Sequence, residues 1–180
     1  MCLIDKEHIN TLIKKIGSGD NAAFTELYNG LKTPLYAFIF PLLKNRNDAL
    51  DIIHETFKTV IEKSRTKMLY KNCFAWIFTI AKNKSLNFIK KKNRERPMES
   101  NILDYIDKQR TYHENDMIQA LDLKQAIGYL SEFEQQLICL YYGEQLTLYE
   151  LASIFKKSTK TISKYLTNAK HKLKRYLDEK

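Results

Sequence analysis

The pattern that most constrains this chain lies near its C-terminus. Ile162, Leu166, Ala169 and Leu173 are spaced four, three and four residues apart, so a helix gathers them on one apolar stripe. At 3.6 residues per turn, Lys160, Lys164 and His171 project opposite, with Thr161 and Asn168 at the edge. From Lys156 to Leu177 there are eight Lys or Arg and no Asp or Glu. Just upstream, Thr147 and Glu150 have capping-box spacing ahead of Leu148, Leu151, Ala152 and Phe155. Lys156 and Lys157 then make a tight turn, and Ser158 is placed to cap the long helix. A short helix, a tight turn and a one-sided basic helix predict a helix-turn-helix. Its second helix suits the major groove, with N-terminal side chains on base edges and flanking lysines on phosphates.

Composition agrees with a helical, polyanion-binding protein. The 180 residues include only five Gly and three Pro, are 44% hydrophobic and carry a formal charge of +9. Regular strand alternation is scarce, so the expected fold class is all-α. No apolar run approaches the roughly 20 residues that span a bilayer. Met1 to Lys15 contains Asp5 and Glu7 and lacks a signal-peptide core, so a cytoplasmic protein without membrane insertion is expected. Cys2, Cys73 and Cys139 form no CxxC pair, and His8, His54, His113 and His171 are scattered. No phosphate-binding loop or nucleophile elbow occurs. The expectation is therefore no metal, no cofactor, no catalytic residue and no enzyme.

Further helices follow from spacing. Ile9, Leu12, Ile13 and Ile16 share a face, and Gly17 to Asp20 interrupt it, with Asp20 or Asn21 as the next cap. Phe24, Leu27, Tyr28 and Leu31 continue, and Pro34 and Pro41 read as boundaries or kinks. Asn47 or Asp48 is placed to cap a third helix with Ile52, Ile53, Phe57, Val60 and Ile61 along it. Ser64 to Lys71 reads as a basic loop. The apolar pattern returns from Cys73 to Ile89, ends in the basic run Lys90, Lys91, Lys92, Arg94 and Arg96, and stops at Pro97. Residues 98–118 are polar with weak periodicity, and a helical turn is expected only around Ile102 to Ile106. Ser131 and Glu134 form a capping box ahead of Leu137, Ile138, Leu140 and Tyr141, with Gly143 ending that helix.

These segments resemble, in order, the conserved parts of a known family. Leu130 to Leu173, with TLYELASIF, STKTISKYL and AKHKL, resembles the C-terminal promoter-reading domain of sigma factors. GDNAAFTELY (Gly19 to Tyr28), NDALDIIHETF (Asn47 to Phe57) and AWIFTIAKNKSLNFIKKK (Ala75 to Lys92) resemble the opening, the core-polymerase-binding helix and the minus-ten-reading helix of the N-terminal sigma domain. The chain is thus similar to an extracytoplasmic-function (ECF) type RNA polymerase sigma factor of the sigma-70 family. The resemblance implies two small helical domains: residues 1–95 for polymerase binding and minus-ten melting, a linker at 96–118, and residues 119–180 for minus-35 reading.

The resemblance also implies roles by position. Ser158, Thr159, Lys160, Thr161, Lys164, Asn168, His171 and Lys172 fall on the minus-35 reader, with Lys164 near base edges and Lys172 on phosphate. Arg65, Lys67, Lys71, Asn83, Lys84, Asn87 and Lys91 fall on the minus-ten reader, where single-stranded bases call for stacking and a cationic track. Trp76, Phe78 and Phe88 are the aromatic candidates, with Trp76 expected in the core. Asp48, Asp51 and Glu55, at i, i+3 and i+7, make with His54 the polymerase-docking face. Implied partners are core RNA polymerase, promoter DNA and an anti-sigma factor. His54 stands where glutamine is usual, Leu50 where an acid is common, Cys73 where an aromatic is usual, and Lys160 where a small residue is usual. Lys156 replaces a usual glycine and is expected to adopt a left-handed backbone. No further domain is expected beyond this minimal ECF arrangement, and the toxin-gene-regulating sigma factors remain a close alternative. Two others stay open: a stand-alone helix-turn-helix regulator, and a sigma-like polymerase-binding protein that reads no promoter.

Overall fold

A computed structural model of the chain describes residues 5–66, 72–95 and 125–178. Every regular element among the described residues is helical. Helix α1 spans Lys6–Gly17 and buries Ile9, Leu12, Ile13 and Ile16, the stripe expected from spacing. Its N-cap is Asp5, whose carboxylate accepts from the Glu7 N–H. Asp20 caps α2 by accepting from the Ala22 and Ala23 N–H groups at 2.9 and 3.0 Å.

Helix α2 spans Asn21–Leu43 and runs through both prolines. Neither Pro34 nor Pro41 is a boundary. Each proline removes one helical hydrogen bond and crowds the carbonyl four residues back, at a cost of about 3 kcal/mol. Against that, Leu31, Leu35, Phe38 and Ile39 are completely buried on this helix, each worth about 1.5–3 kcal/mol. Packing outweighs propensity, and the helix continues until Lys44, which closes it in a left-handed conformation at φ 50.

Helix α3 spans Arg46–Ser64. Its cap is Asn45, which accepts from the Asp48 N–H at 3.0 Å, rather than Asn47 or Asp48. An asparagine two residues further on lies inside the first turn and cannot serve. Helix α4 spans Cys73–Glu95, so it passes Ile89 and carries Lys90, Lys91, Lys92 and Arg94 in its last turns. Asn72 caps it by accepting from the Ala75 N–H at 2.9 Å. Four helices thus pack on one another, with α2, α3 and α4 in mutual contact and α1 across them.

The C-terminal described part begins with a helical turn at 125–128. Helix α5 spans Glu132–Ile138 and opens with the Ser131–Glu134 capping box. It passes into a π-helical turn, Cys139–Gly143, so Gly143 does end the helical stretch. Helix α6 spans Leu148–Phe155 and α7 spans Thr159–Asp178.

The apolar interior is continuous between the N-terminal and C-terminal elements. Helix α2 packs on α5 and α4 on α6. Phe38 is fully buried at this junction. Its ring meets Phe78 edge-on at 5.2 Å and Phe155 at 6.1 Å, and its carbonyl accepts from the Gln136 side chain at 3.0 Å. The expected linker at 96–118, with the turn at Ile102 to Ile106, lies outside the described residues.

Gly17 shows how closely α1 and α3 meet. A Cβ added there would lie 2.5 Å from the Ser64 carbonyl oxygen. Alanine favours a helix over glycine by about 0.5–1 kcal/mol, but the overpacking costs about 1–3 kcal/mol. Gly17→Ala is therefore expected to lower the urea midpoint, and an unchanged or raised midpoint would contradict the close approach.

Candidate nucleic-acid interface

The helix-turn-helix is assembled by local hydrogen bonding before any packing is considered. Thr147 Oγ1 accepts from the Glu150 N–H at 3.3 Å, and Glu150 Oε2 accepts from the Thr147 N–H at 2.6 Å. Leu151 and Ile154 are the buried residues of α6, with Leu148, Ala152 and Phe155 partly buried. Lys156 ends α6 with φ 53 and ψ 45, the left-handed backbone expected where a glycine is usual, at a cost of about 1–2 kcal/mol. Ser158 then caps α7, accepting from the Thr161 N–H at 3.1 Å and bonding the Thr161 hydroxyl at 2.8 Å.

On α7, Ile162, Leu166 and Ala169 are buried. Lys160, Lys164, Asn168 and His171 are exposed on the far side, as the spacing requires. Ser158 is exposed, and Thr159 and Thr161 are half-buried beside it at the helix start. Thr167 shares the outward face and was missed, although its position between Lys164 and His171 makes it legible from helical spacing. The outward face joins a helix N-terminus, hydroxyls, amide and cations without a carboxylate, an arrangement suited to a polyanionic groove.

Lys172 sits elsewhere. It points along the flank toward α5, where its Nζ is 2.8 Å from both oxygens of Glu134. Glu134 is 3% exposed. Desolvation pushes its carboxyl up, but hydrogen bonds from Lys172 and Ser131 outweigh this and hold it below the ordinary carboxylate range. The pair thus ties the recognition helix to α5 through the first capping box. A second tie between α7 and α5 is Tyr165, edge-on to Phe133 at 4.9 Å.

The N-terminal site residues lie on α3 and α4. Asn83, Asn87 and Lys91 are exposed along α4, and Lys84 is half-buried. A shallow groove runs past Asn87, Lys90, Lys91 and Arg94, which adds Lys90 and Arg94 to the set drawn from sequence. Arg65 is exposed at the end of α3, whereas Lys67 and Lys71 lie outside the described residues. Of the aromatics, Phe78 is fully buried and cannot stack on bases. Its position one turn after Phe74 puts it on the core stripe, with the rings stacked at 4.7 Å. Trp76 is partly buried against the core, and Phe88 is half-covered by Lys92 at 5.7 Å.

Asp48, Asp51, His54 and Glu55 form one face of α3, with Asp48 half-buried and the other three exposed. Two basic residues of α4 reach across to it: Lys92 lies 2.9 Å from Asp48 and Lys84 lies 3.4 Å from Glu55. Solvated pairs of this kind are worth about 0–1 kcal/mol, so a partner can exchange them at little cost. His54 is bonded to the Tyr28 hydroxyl at 3.3 Å and stacked on its ring. Sequence reading missed Lys82, which is buried on α4 beneath α6. Its spacing from Phe78 and Ser85 was the available signal, since both lie on the buried stripe.

Among the described residues no cluster of His, Cys, Asp and Glu is arranged to hold a metal. No described helix is long and apolar enough to cross a membrane.

This architecture is an all-helical one that ends in a helix-turn-helix. Residues 126–175 match the family model for sigma-70, region 4. The chain is 28% identical over 138 residues to the RNA polymerase sigma factor SigV of Bacillus subtilis, covering 77% of this chain and 81% of that protein. It is 22% identical over 161 residues to the ECF RNA polymerase sigma factor SigM of the same organism, covering 83% and 91%. The sigma factor RpoE of Bartonella quintana, solved with the anti-sigma factor NepR, shares the fold with a TM-score of 0.67 and 21% identity, over 86% of this chain and 96% of that one. The C-terminal part of the chain thus carries a sigma-70 region 4, and most of its length is similar to sigma factors of the ECF type.

The Lys172–Glu134 pair generates a stability prediction. Lys172→Ala leaves a buried carboxylate with only its Ser131 partners, and is expected to cost about 1–3 kcal/mol. The depressed carboxyl contributes stability that is present near neutrality and is lost as pH falls through and below the ordinary carboxylate range. Thermal melts of wild type and variant should therefore differ at pH 7 and converge in acid. A constant difference across that range would show that Glu134 does not depend on Lys172.

Proposed function

We propose that this chain binds core RNA polymerase and directs promoter-specific initiation, with α7 reading the minus-35 element and α4 the minus-ten element. The observation that carries the reading is the capped helix-turn-helix within residues 126–175, whose recognition helix presents an acid-free outward face. It acts through binding and melting in the cytoplasm, not through a catalytic centre of its own. Residues 1–95 and 119–180 are the two functional units, connected through 96–118.

On α7 and its cap, Ser158, Thr159, Lys160, Thr161, Lys164, Asn168 and His171 face the minus-35 duplex, joined by Thr167. Base-reading contacts cluster at the N-terminal end of such helices, and later cations meet phosphate. Lys172 is engaged with Glu134, so its part is to brace the helix while retaining charge near the backbone. Within the N-terminal unit, Asn83, Lys84, Asn87 and Lys91 follow the minus-ten strand, with Arg65, Lys67 and Lys71 ahead of them. The acidic face of Asp48, Asp51, His54 and Glu55 meets a basic surface of polymerase, since opposite charge steers and registers such contacts. The relative RpoE was solved with an anti-sigma factor, and an inhibitory partner of that class is proposed for this chain too.

Two outcomes are expected. Lys164→Ala should change base preference within the upstream element by about 1–3 kcal/mol if it makes a bidentate contact, whereas Lys174→Ala should weaken all sequences alike and reduce the salt dependence. Binding to single-base promoter mutants at two salt concentrations separates them, and the reverse pattern would invert the orientation of α7 in the groove. Asp51→Lys with Glu55→Lys should weaken competition for core polymerase while leaving duplex binding by α7 unchanged. Competition equal to wild type would remove the docking face from α3.

A further inference from the structure

Helix α4 changes character at Ser85. Up to that point it is wedged among α1, α2, α3 and α6, and Ala81, Lys82 and Ser85 are buried. From Leu86 to Arg94 no residue is buried, so this length of α4 projects from the core. Leu86 is 42% exposed there. The other large aliphatic side chain exposed among the described residues, Leu177, lies in the last turn of α7, where helix ends fray.

Helical spacing puts Leu86 on the face already assigned to the minus-ten strand. Asn83, Leu86, Asn87, Lys90 and Arg94 fall within about a third of the helix circumference, and all five are exposed. Lys84 and Lys92 lie outside this arc and turn toward α3, where Glu55 and Asp48 receive them. The arc therefore holds two carboxamides, two cations and one leucine, without a carboxylate.

These residue types divide the work of reading a strand. A carboxamide makes paired hydrogen bonds to a base edge, and a cation follows phosphate. Leucine does neither. Aromatic rings do not take over the apolar contact along this length of α4. Phe78 is fully buried, Phe88 lies outside the arc beneath Lys92, and Trp76 is two turns before Asn83, partly buried against the core. Leu86 is thus the apolar group of the arc. On the edge of a DNA base, the apolar group that matches it is the C5-methyl of thymine. Asn83 stands one turn before Leu86 and Lys90 one turn after, so an amide and a cation flank any base set against it.

We propose that Leu86 is a specificity-determining residue that packs against the C5-methyl of one thymine in the minus-ten element. This role rests on the promoter-reading function proposed above. Removing the methyl from the base and shortening the leucine abolish the same contact, so the two changes are not additive.

The test uses the full chain assembled with core polymerase, and promoter DNA that this assembly selects from a library randomised over the minus-ten element. Each thymine of the selected element is replaced singly by deoxyuridine, which removes the methyl and keeps every hydrogen-bonding group. Wild type should lose about fourfold in affinity at one position, the worth of one methyl-sized group taken out of water, and bind as before at the others. Leu86→Ala should bind thymine and deoxyuridine alike at that position. Leu86→Met, which keeps an apolar chain there, should restore the preference. Alanine and methionine both favour a helix, and the methyl scan of the wild type needs no variant at all. A selected element without thymine, a wild type indifferent to every methyl, or a preference that persists in Leu86→Ala overturns the role of Leu86 while promoter reading stands. An assembly that selects no sequence overturns promoter reading, and the role of Leu86 with it.

Discussion

Phe38 occupies the point on which the arrangement of the molecule turns. It lies on α2 beyond the first proline, is removed entirely from solvent, and touches α4 through Phe78 and α6 through Phe155. Its carbonyl is bonded by Gln136 from α5, so backbone and ring alike join the two parts. That position exists only because α2 continues past Pro34. Had the helix ended there, Phe38 and Ile39 would leave the interior, and α4 would lose the surface on which α6 rests. The two α2 prolines are therefore tolerated by the same packing that brings α3, α4 and the helix-turn-helix into one body.

Charge is distributed with equal economy. The basic outward face of α7 and the basic end of α4 contrast with the acidic face of α3, and Lys84 and Lys92 cross from α4 to meet Glu55 and Asp48. These exposed pairs are weak and exchangeable. Lys172–Glu134 and Lys6–Glu150 are different in kind, because one partner in each is largely removed from water. A charge taken out of water and given several donors holds elements together, whereas a charge left in water remains available to polymerase or DNA. This distinction separates the lysines committed to the fold from those left in water better than sequence position does.

Much of the candidate site was legible from spacing. The two capping boxes, the Ser158 cap, the left-handed Lys156 and the buried stripe of α7 are local features, fixed by residues within one or two turns of each other. The Asp48, Asp51 and Glu55 face follows from helical periodicity alone. What escaped was non-local. Asn45 rather than Asn47 capping α3 depended on where the preceding helix ended. The buried fate of Phe78 and Lys82, the engagement of Lys172 by Glu134, and the passage of α2 through two prolines all depend on which neighbour a face meets.

The amino-acid sequence by itself determined an all-helical chain, a capped helix-turn-helix with an acid-free outer face, and an acidic stripe upstream, because periodicity and capping act over a few residues. Only the tertiary structure decided which cations are committed internally and that α6 is gripped at both ends by α1, α4 and the α4 cap Asn72. Those outcomes depend on burial, and burial is set by distant partners, such as Asn72 and Lys6, which lie 78 and 144 positions from Glu150. No local pattern encodes which of many equally spaced lysines will lose its water.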